Sequence, residues 1–182
     1  IDGQANNGLA DGFVTKFLSD GTKAWTHDIG GTGADNAAAL TIGADGALYV
    51  AGMTSSPSLD GLTVNGFDFI TKYLPDGTKV YTRLLGESGG PAFLSAIGVG
   101  GDGALFLCGY VGSVVPPGVS VPAVLFNGQT GYGGMDAWVS KYQADGTHLW
   151  TQLIGGAGND LASALTVLPN GTLFVSGYTS QG

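Results

Sequence analysis

Ser88 has the most enzyme-like setting in the sequence. It lies in Gly86-Glu87-Ser88-Gly89-Gly90-Pro91, a glycine-flanked segment of the kind that can present a serine nucleophile. Such a serine needs a base within hydrogen-bond reach and a third group to orient that base. The chain offers two histidines, His27 and His148. His148 occupies a turn position held elsewhere by Lys23 and Lys79, and His27 a strand position held elsewhere by Arg83 and Gln152. Those partners are surface types, so both histidines are expected at the surface. Segment 86–91 is then a variant loop, and no enzymatic activity is expected.

Oxygen ligands offer a second chemistry. Gly155-Gly156-Ala157-Gly158-Asn159-Asp160 fits the start of the glycine-rich nonapeptide that binds Ca²⁺ between stacked coils. Gly30-Gly31-Thr32-Gly33-Ala34-Asp35 fits it more loosely. That site takes its ligands from successive short coils, whereas here the copies lie whole repeats apart, which excludes the stacked mechanism. A single-loop Ca²⁺ site on Asp35 or Asp160, completed by backbone carbonyls, is the remaining metal candidate. The competing expectation, which we favour, is that each Asp caps its own loop through backbone N–H groups. No other cofactor is expected, because neither a Lys nor a helix follows the glycine-rich loops, as a phosphate cradle requires. Asn170-Gly171-Thr172 is a glycosylation sequon in a tight turn.

The third candidate is the uncharged stretch 111–134, with Leu125, Phe126 and Tyr132 as its large side chains. Long loops on a rigid scaffold are where binding concentrates. These three residues are the candidate contacts for a glycan or protein ligand. The alternative is that the stretch packs on its neighbour or on the next subunit.

The elements that hold these residues are repeated. FVTKFLSDGTKAWTHDIGG from Phe13, FITKYLPDGTKVYTRLLGE from Phe69 and WVSKYQADGTHLWTQLIGG from Trp138 are three copies of one segment. Each is followed by a second half: AAALTIGADGALYVAGMTS, LSAIGVGGDGALFLCGYVG or ASALTVLPNGTLFVSGYTS. The distance from Lys16 to Gly52, Lys72 to Gly109 and Lys141 to Gly177 is 36 or 37 residues. Length variation sits in the connections 52–72 and 109–141. Apolar runs separated by Asp-Gly or Asn-Gly predict hairpins, and no segment carries a helical period. Four short strands per unit of some forty residues is the pattern of a β-propeller blade. The chain is therefore expected to be all-β: a single domain over 1–182 with units at about 11–56, 67–113 and 135–180. A sandwich has no reason to repeat its sequence, and a solenoid coil is shorter.

These residues resemble the bacterial β-propeller repeats called SBBP repeats. The matching pieces are D-G-F-V-T-K-F, D-G-T-K-A-W, I-G-G-T-G-A-D and G-A-L-Y-V-A-G, recurring in register over nearly the whole chain except the first ten residues and 111–134. The resemblance implies propeller blades of four antiparallel strands and an extracellular bacterial protein, without implying an activity. If the small-residue strand is innermost, the chain starts with strands three and four of one blade. Two complete blades follow, at about 37–83 and 92–152, and strands one and two close the sequence at 161–178. Three blades' worth result, two complete and one split between the two ends. The join of GYTSQG to IDGQANNGLADGF matches the internal join GMTSSPSLDGLTVNGFDF.

Composition agrees with that expectation. Glycine numbers 34 of 182 residues while hydrophobic residues are 43% and charged residues 11%, a balance opposite to that of a disordered chain. Six Lys and Arg against 14 Asp and Glu give a net charge of −8. No basic footprint for nucleic acid exists, and no apolar run reaches membrane-helix length. Most acids are Asp beside Gly, which is turn chemistry. Cys108 is the only cysteine, so no intrachain disulfide is expected. The chain opens at Ile1 without a methionine or signal-peptide pattern, as a processed product or an excerpt would. The expected role is a non-enzymatic structural or adhesive protein of a bacterial surface, completing its split blade with another copy. A binding module using the face with 111–134 is the alternative.

Overall fold

The computed structural model of the protein describes residues 2–64, 66–85, 92–112 and 125–180. They form sixteen strands and, among the described residues, no helix. Strands β1 (Gly12–Phe17) and β2 (Lys23–Ile29) make a two-stranded sheet. Strands β3 (Asp35–Ile42), β4 (Leu48–Thr54), β7 (Asp68–Tyr73) and β8 (Lys79–Leu85) make a four-stranded sheet in that order. A second four-stranded sheet runs β9 (Ala92–Val99), β10 (Leu105–Gly112), β13 (Met135–Tyr142), β14 (His148–Ile154). Strands β15 (Asp160–Val167) and β16 (Leu173–Thr179) pair alone. Two short hairpins, β5 (Ser58–Leu59) with β6 (Leu62–Thr63) and β11 (Leu125–Phe126) with β12 (Gln129–Thr130), sit in the connections that vary in length. All strand pairs within these sheets are antiparallel. The sheets do not close into a barrel.

Turn chemistry sets the hairpins. In each of the six long hairpins an Asp or Asn at the tip accepts a hydrogen bond from the amide two residues on, as Asp20 does from Thr22 at 2.8 Å and Asn170 from Thr172 at 3.0 Å. The following glycine takes positive φ. That amide bond is also the first reason why Asp20, Asp45, Asp76, Asp102 and Asp145 hold their carboxyls below the usual range.

Register repeats as faithfully as the turns. Tyr49 lies opposite Lys72 as Phe106 lies opposite Lys141, and Gly52 lies opposite Phe69 as Gly109 lies opposite Trp138. The glycine is required there. A Cβ at Gly52 would collide with the Asn36 carbonyl oxygen and approach the Phe69 ring to 2.8 Å. At Gly109 it would collide with the Phe93 carbonyl oxygen and approach the Trp138 ring to 3.0 Å. Each glycine thus seats a large ring, and Phe69 and Trp138 are among the largest fully buried side chains. Between sheets, the small-residue strands neighbour one another, β3 beside β9 and β9 beside β15.

One expectation needs correction. Stretch 111–134 reads in the sequence as individual to this chain, yet 125–130 is a further copy of the hairpin at 58–63. Asp60-Gly61 and Asn127-Gly128 both carry positive φ at both positions, the two-residue hairpin geometry, and Asp2-Gly3 at the head repeats it. The tips share an Asp-Gly or Asn-Gly pair, and the shared backbone geometry adds 125–130 to the repeat. Residues 113–124 and the segment 86–91 lie outside the described residues.

Candidate functional site

Each unit carries a hydroxyl pair between neighbouring strands, half-buried for Thr15 with Thr26 at 3.0 Å and buried for Thr71 with Thr82 at 3.0 Å and Ser140 with Thr151 at 2.6 Å. The hairpin tips reach onto these pairs. Asp2 accepts from Lys23 and Thr26, Asp60 accepts from Lys79 and Thr82, and Asn127 donates to the Thr151 hydroxyl at 3.0 Å. Burial works to raise the Asp60 carboxyl, but hydrogen bonds from Lys79 and Thr82 outweigh it and the net shift is downward. His148 Nε2 meets the Thr151 hydroxyl at 2.8 Å, so this histidine is committed to the same cluster. These clusters pin a short hairpin to a strand.

His27 departs from the surface position its repeat partners suggest. It is half-buried, its ring stacked on Tyr73 with centroids 5.2 Å apart and planes 6° apart, beside Trp25. Arg83 and Gln152, at the same strand position, are exposed. Imidazole is flat and short enough to lie on the ring of the next sheet, whereas Arg83 reaches past it to the Asp145 carbonyl. The two histidines hold separate hydrogen-bonding and stacking partners, and neither forms part of a base-and-orienter set among the described residues.

Asp35 and Asp160 both cap their glycine-rich loops. Asp35 Oδ2 accepts from the Gly31 amide and the Ser56 hydroxyl, both at 2.8 Å, and Asp160 Oδ2 accepts from the Gly156 amide at 2.8 Å. The sequence did not reveal their companions. Asp136 lies against the Gly155 loop beside Asp160, with Oδ2 accepting from the Tyr132 amide at 3.0 Å and Oδ1 buried without a partner among the described residues. Burial first, and Asp160's charge as well, push the Asp136 carboxyl up. Asp11 lies against Gly30 in the same way, also with an unpartnered Oδ1. In the middle unit the corresponding strand positions hold Phe67 and Ala92, so both carboxylates of the pair are replaced together. The signal was present in the sequence as Asp11 and Asp136 two residues before the strand's large ring, but it was hidden by the abundance of Asp in turns. No group of three metal-binding side chains exists among the described residues.

A cleft of about 470 Å³ lies where the first unit meets the middle one, lined by Asp35, Met53, Phe67, Ala92 and Phe93 among others. Phe93 stacks on Tyr110 with centroids 4.8 Å apart. Of the insertion residues, Leu125 and Tyr132 are exposed, but Phe126 is buried and packs on Trp138 at 5.2 Å. Phe126 takes the place that Leu59 has in the other hairpin, a plug in the core, so it is not available to a ligand.

At equivalent register positions the half-sheets expose rings that the four-stranded sheets bury. Phe13 is 54% exposed, while Phe69 and Trp138 at the same register position are 0% and 2% exposed. Phe17 is exposed where Tyr73 and Tyr142 are buried, and Phe174 where Tyr49 and Phe106 are buried. Strand β1 has a partner only in β2, and β16 only in β15, which leaves one edge of each free of ladder bonds among the described residues.

No family model matches the chain. It is similar to a protein named regulatory protein FlaEY of Caulobacter vibrioides, with 28% identity over 197 aligned positions. That alignment takes in 98% of this chain and 20% of the relative, so the chain spans about a fifth of that protein. No described helix is long and apolar enough to cross a membrane.

Proposed function

We propose that the sheets are propeller blades and that the chain is a non-enzymatic structural or adhesive module of a bacterial cell surface, which works by sharing its half-sheets with a neighbouring repeat. One observation carries this: the same register position is buried in both four-stranded sheets and exposed at Phe13. Closed propellers have about 4–8 blades. Two whole sheets and two halves fall short of that number, and free edges invite pairing with another chain. Two copies joined head to tail would make six blades with twofold symmetry. A joint that does not close would propagate into a filament. The resemblance to SBBP repeats supports the blade assignment. A relative of which this chain spans 20% leaves room for the neighbouring repeat to lie in a longer polypeptide. Size-exclusion chromatography with light scattering tests the assembly: a chain of 18.2 kDa that stays monomeric at all concentrations would defeat it.

The cleft beside Phe93 and Tyr110 favours a second function, recognition of a glycan or protein by the module. Phe67 and Phe93 line this apolar cleft, and aromatic rings suit the flat face of a sugar. The relative's name, a regulatory protein, is compatible with a binding role. Phe93→Ala and Phe67→Ala, screened on a glycan array, should lose any ligand that the parent holds. Retention by both variants would count against this function.

A further inference from the structure

The chain has six basic side chains, and every one is engaged away from the glycine-rich loop at 30–35. Lys23, Lys72, Lys79 and Lys141 pair with Asp2, Asp45, Asp60 and Asp102. Lys16 donates to the Pro75 carbonyl at 2.6 Å, and Arg83 to the Asp145 carbonyl at 3.2 Å. Asp11 and Asp35, the acids at that loop, form no ion pair with any of them. Each also has a buried Oδ1 without a partner among the described residues. A carboxylate held out of water and left unneutralised attracts a cation more strongly than one in solvent.

These acids stand at one end of the cleft of about 470 Å³. Asp35 is 5% exposed and lines it, and Ala10, the chain neighbour of Asp11, lines it too. The Asp35 amide donates to the Ala10 carbonyl at 2.7 Å, which holds the two acid-bearing segments side by side. The rest of the wall is aromatic and apolar. Phe67 is 44% exposed, so its ring is open to an occupant. Phe93 is half-buried and braced by its stacking on Tyr110. Asn36 and Ser55 are exposed lining residues. This juxtaposition arises because the middle unit replaces its own acid pair by Phe67 and Ala92, so the rings of one unit share a cleft with an acid of the unit before it.

We infer that this cleft holds an amino sugar, its ring lying against Phe67 and Phe93 and its ammonium turned toward Asp35. This rests on the recognition function proposed above and specifies the class of its ligand. Aromatic rings take the apolar face of a sugar and also attract a cation, so both parts of the cleft favour the same molecule. A neutral sugar would leave the acids unneutralised. A lysine side chain would meet the charge and the rings, but its single unbranched stem leaves most of the cleft unfilled and brings no hydroxyls to Asn36 and Ser55.

Isothermal titration of the 182-residue chain at pH 6.5 tests the inference. It compares the glucosamine tetrasaccharide with the N-acetylglucosamine tetrasaccharide, which has the same rings without the charge. The amino form should bind at least about tenfold more tightly, and the difference should shrink in about 0.5 M salt, as an attraction between charges does. Asp35→Asn and Asp11→Asn should each lower affinity for the amino form at least about threefold and leave the acetylated form unchanged. Asp35 also accepts from Gly31 and Ser56, so Asp11→Asn gives the same readout if Asp35→Asn does not fold. Asp20→Asn removes the same charge at the opposite end of β1, in a hairpin tip of the kind that Asn170 shows an Asn can form, and should change neither affinity. Phe67→Ala should weaken both ligands. Equal affinities, or tighter binding of the acetylated form, would overturn the amino-sugar inference and leave glycan recognition standing. An equal loss in Asp20→Asn would overturn it too, because net charge would then account for the binding. Tighter binding of a lysine tripeptide than of the glucosamine tetrasaccharide would overturn it in favour of a protein ligand. Binding of neither tetrasaccharide would overturn it, and an empty glycan array would then remove glycan recognition as well.

Discussion

Replacing Asp68 by alanine should stabilise this protein at neutral and alkaline pH. Asp68 is 3% exposed on β7, and its Oδ1 is buried without a hydrogen-bond partner among the described residues. Burial pushes its carboxyl well above the usual carboxylate range. The other units have Gly12 and Ala137 at this position, and Ala137 is itself buried, so the surroundings accept a methyl group. A buried unsatisfied polar group costs about 1–3 kcal/mol, more if charged. The small void left by the shorter side chain offsets part of the gain. Asp68→Ala is therefore expected to gain about 1–2 kcal/mol at pH 8, or roughly 3–6 °C in melting temperature for a domain of this size. The pH dependence fixes the mechanism. The folded carboxyl titrates above the unfolded value near 3.9, so between the two values the folded state holds the extra proton. Wild-type stability must fall as pH rises through that window and level off above the folded pKa. Urea unfolding at pH 4.5, 6 and 8, at a concentration held below assembly, measures both quantities. The gain should shrink toward pH 4.5. A variant less stable at pH 8, or a gain equal at all three pH values, would refute the assignment.

Thr82→Val keeps the shape of a side chain only 6% exposed but strands the Thr71 hydroxyl and removes a donor to Asp60; urea unfolding should show a loss of about 1–3 kcal/mol. Asp136→Asn should flatten the pH dependence and add about 1 kcal/mol at pH 8, because the carboxyl it replaces is raised by burial and by Asp160. Millimolar Ca²⁺ should leave the wild-type melting temperature unchanged, and a Ca²⁺-dependent rise would establish a metal at Asp136 and Asp160 instead. Gly109→Ala should cost about 1–3 kcal/mol through overpacking, against the small gain expected of Gly→Ala in an open strand. Cys108 is fully buried and burial pushes its thiol up to about 11, so a thiol reagent at pH 8 should label it only after unfolding.

Much of the architecture was legible because hairpins are local. Asp-Gly and Asn-Gly tips, alternating strands and a 36- or 37-residue spacing give the order of the twelve long strands, since each turn carries its own geometry, but not the four short strands β5, β6, β11 and β12. The division into two whole sheets and two halves followed from where those repeats start. The loop-capping role of Asp35 and Asp160 was also readable, because an Asp and the amides it accepts from lie a few residues apart. Contacts between units were not readable in this way. His27 is half-buried because Tyr73 of the next sheet lies flat against it, and nothing in its own strand shows that. Phe126 reads as a candidate for ligand contact until the hairpin at 125–130 folds it into the core against Trp138. Asp11 and Asp136 share a place two residues before the strand's large ring, but only their strands bring them to the glycine-rich loops. The sequence by itself determined which strands exist and which hairpins they form, because those depend on neighbours along the chain. Only the tertiary structure decided which equivalent side chains are buried, because burial depends on whether another sheet covers them: Phe69 is sealed and Phe13 is left open.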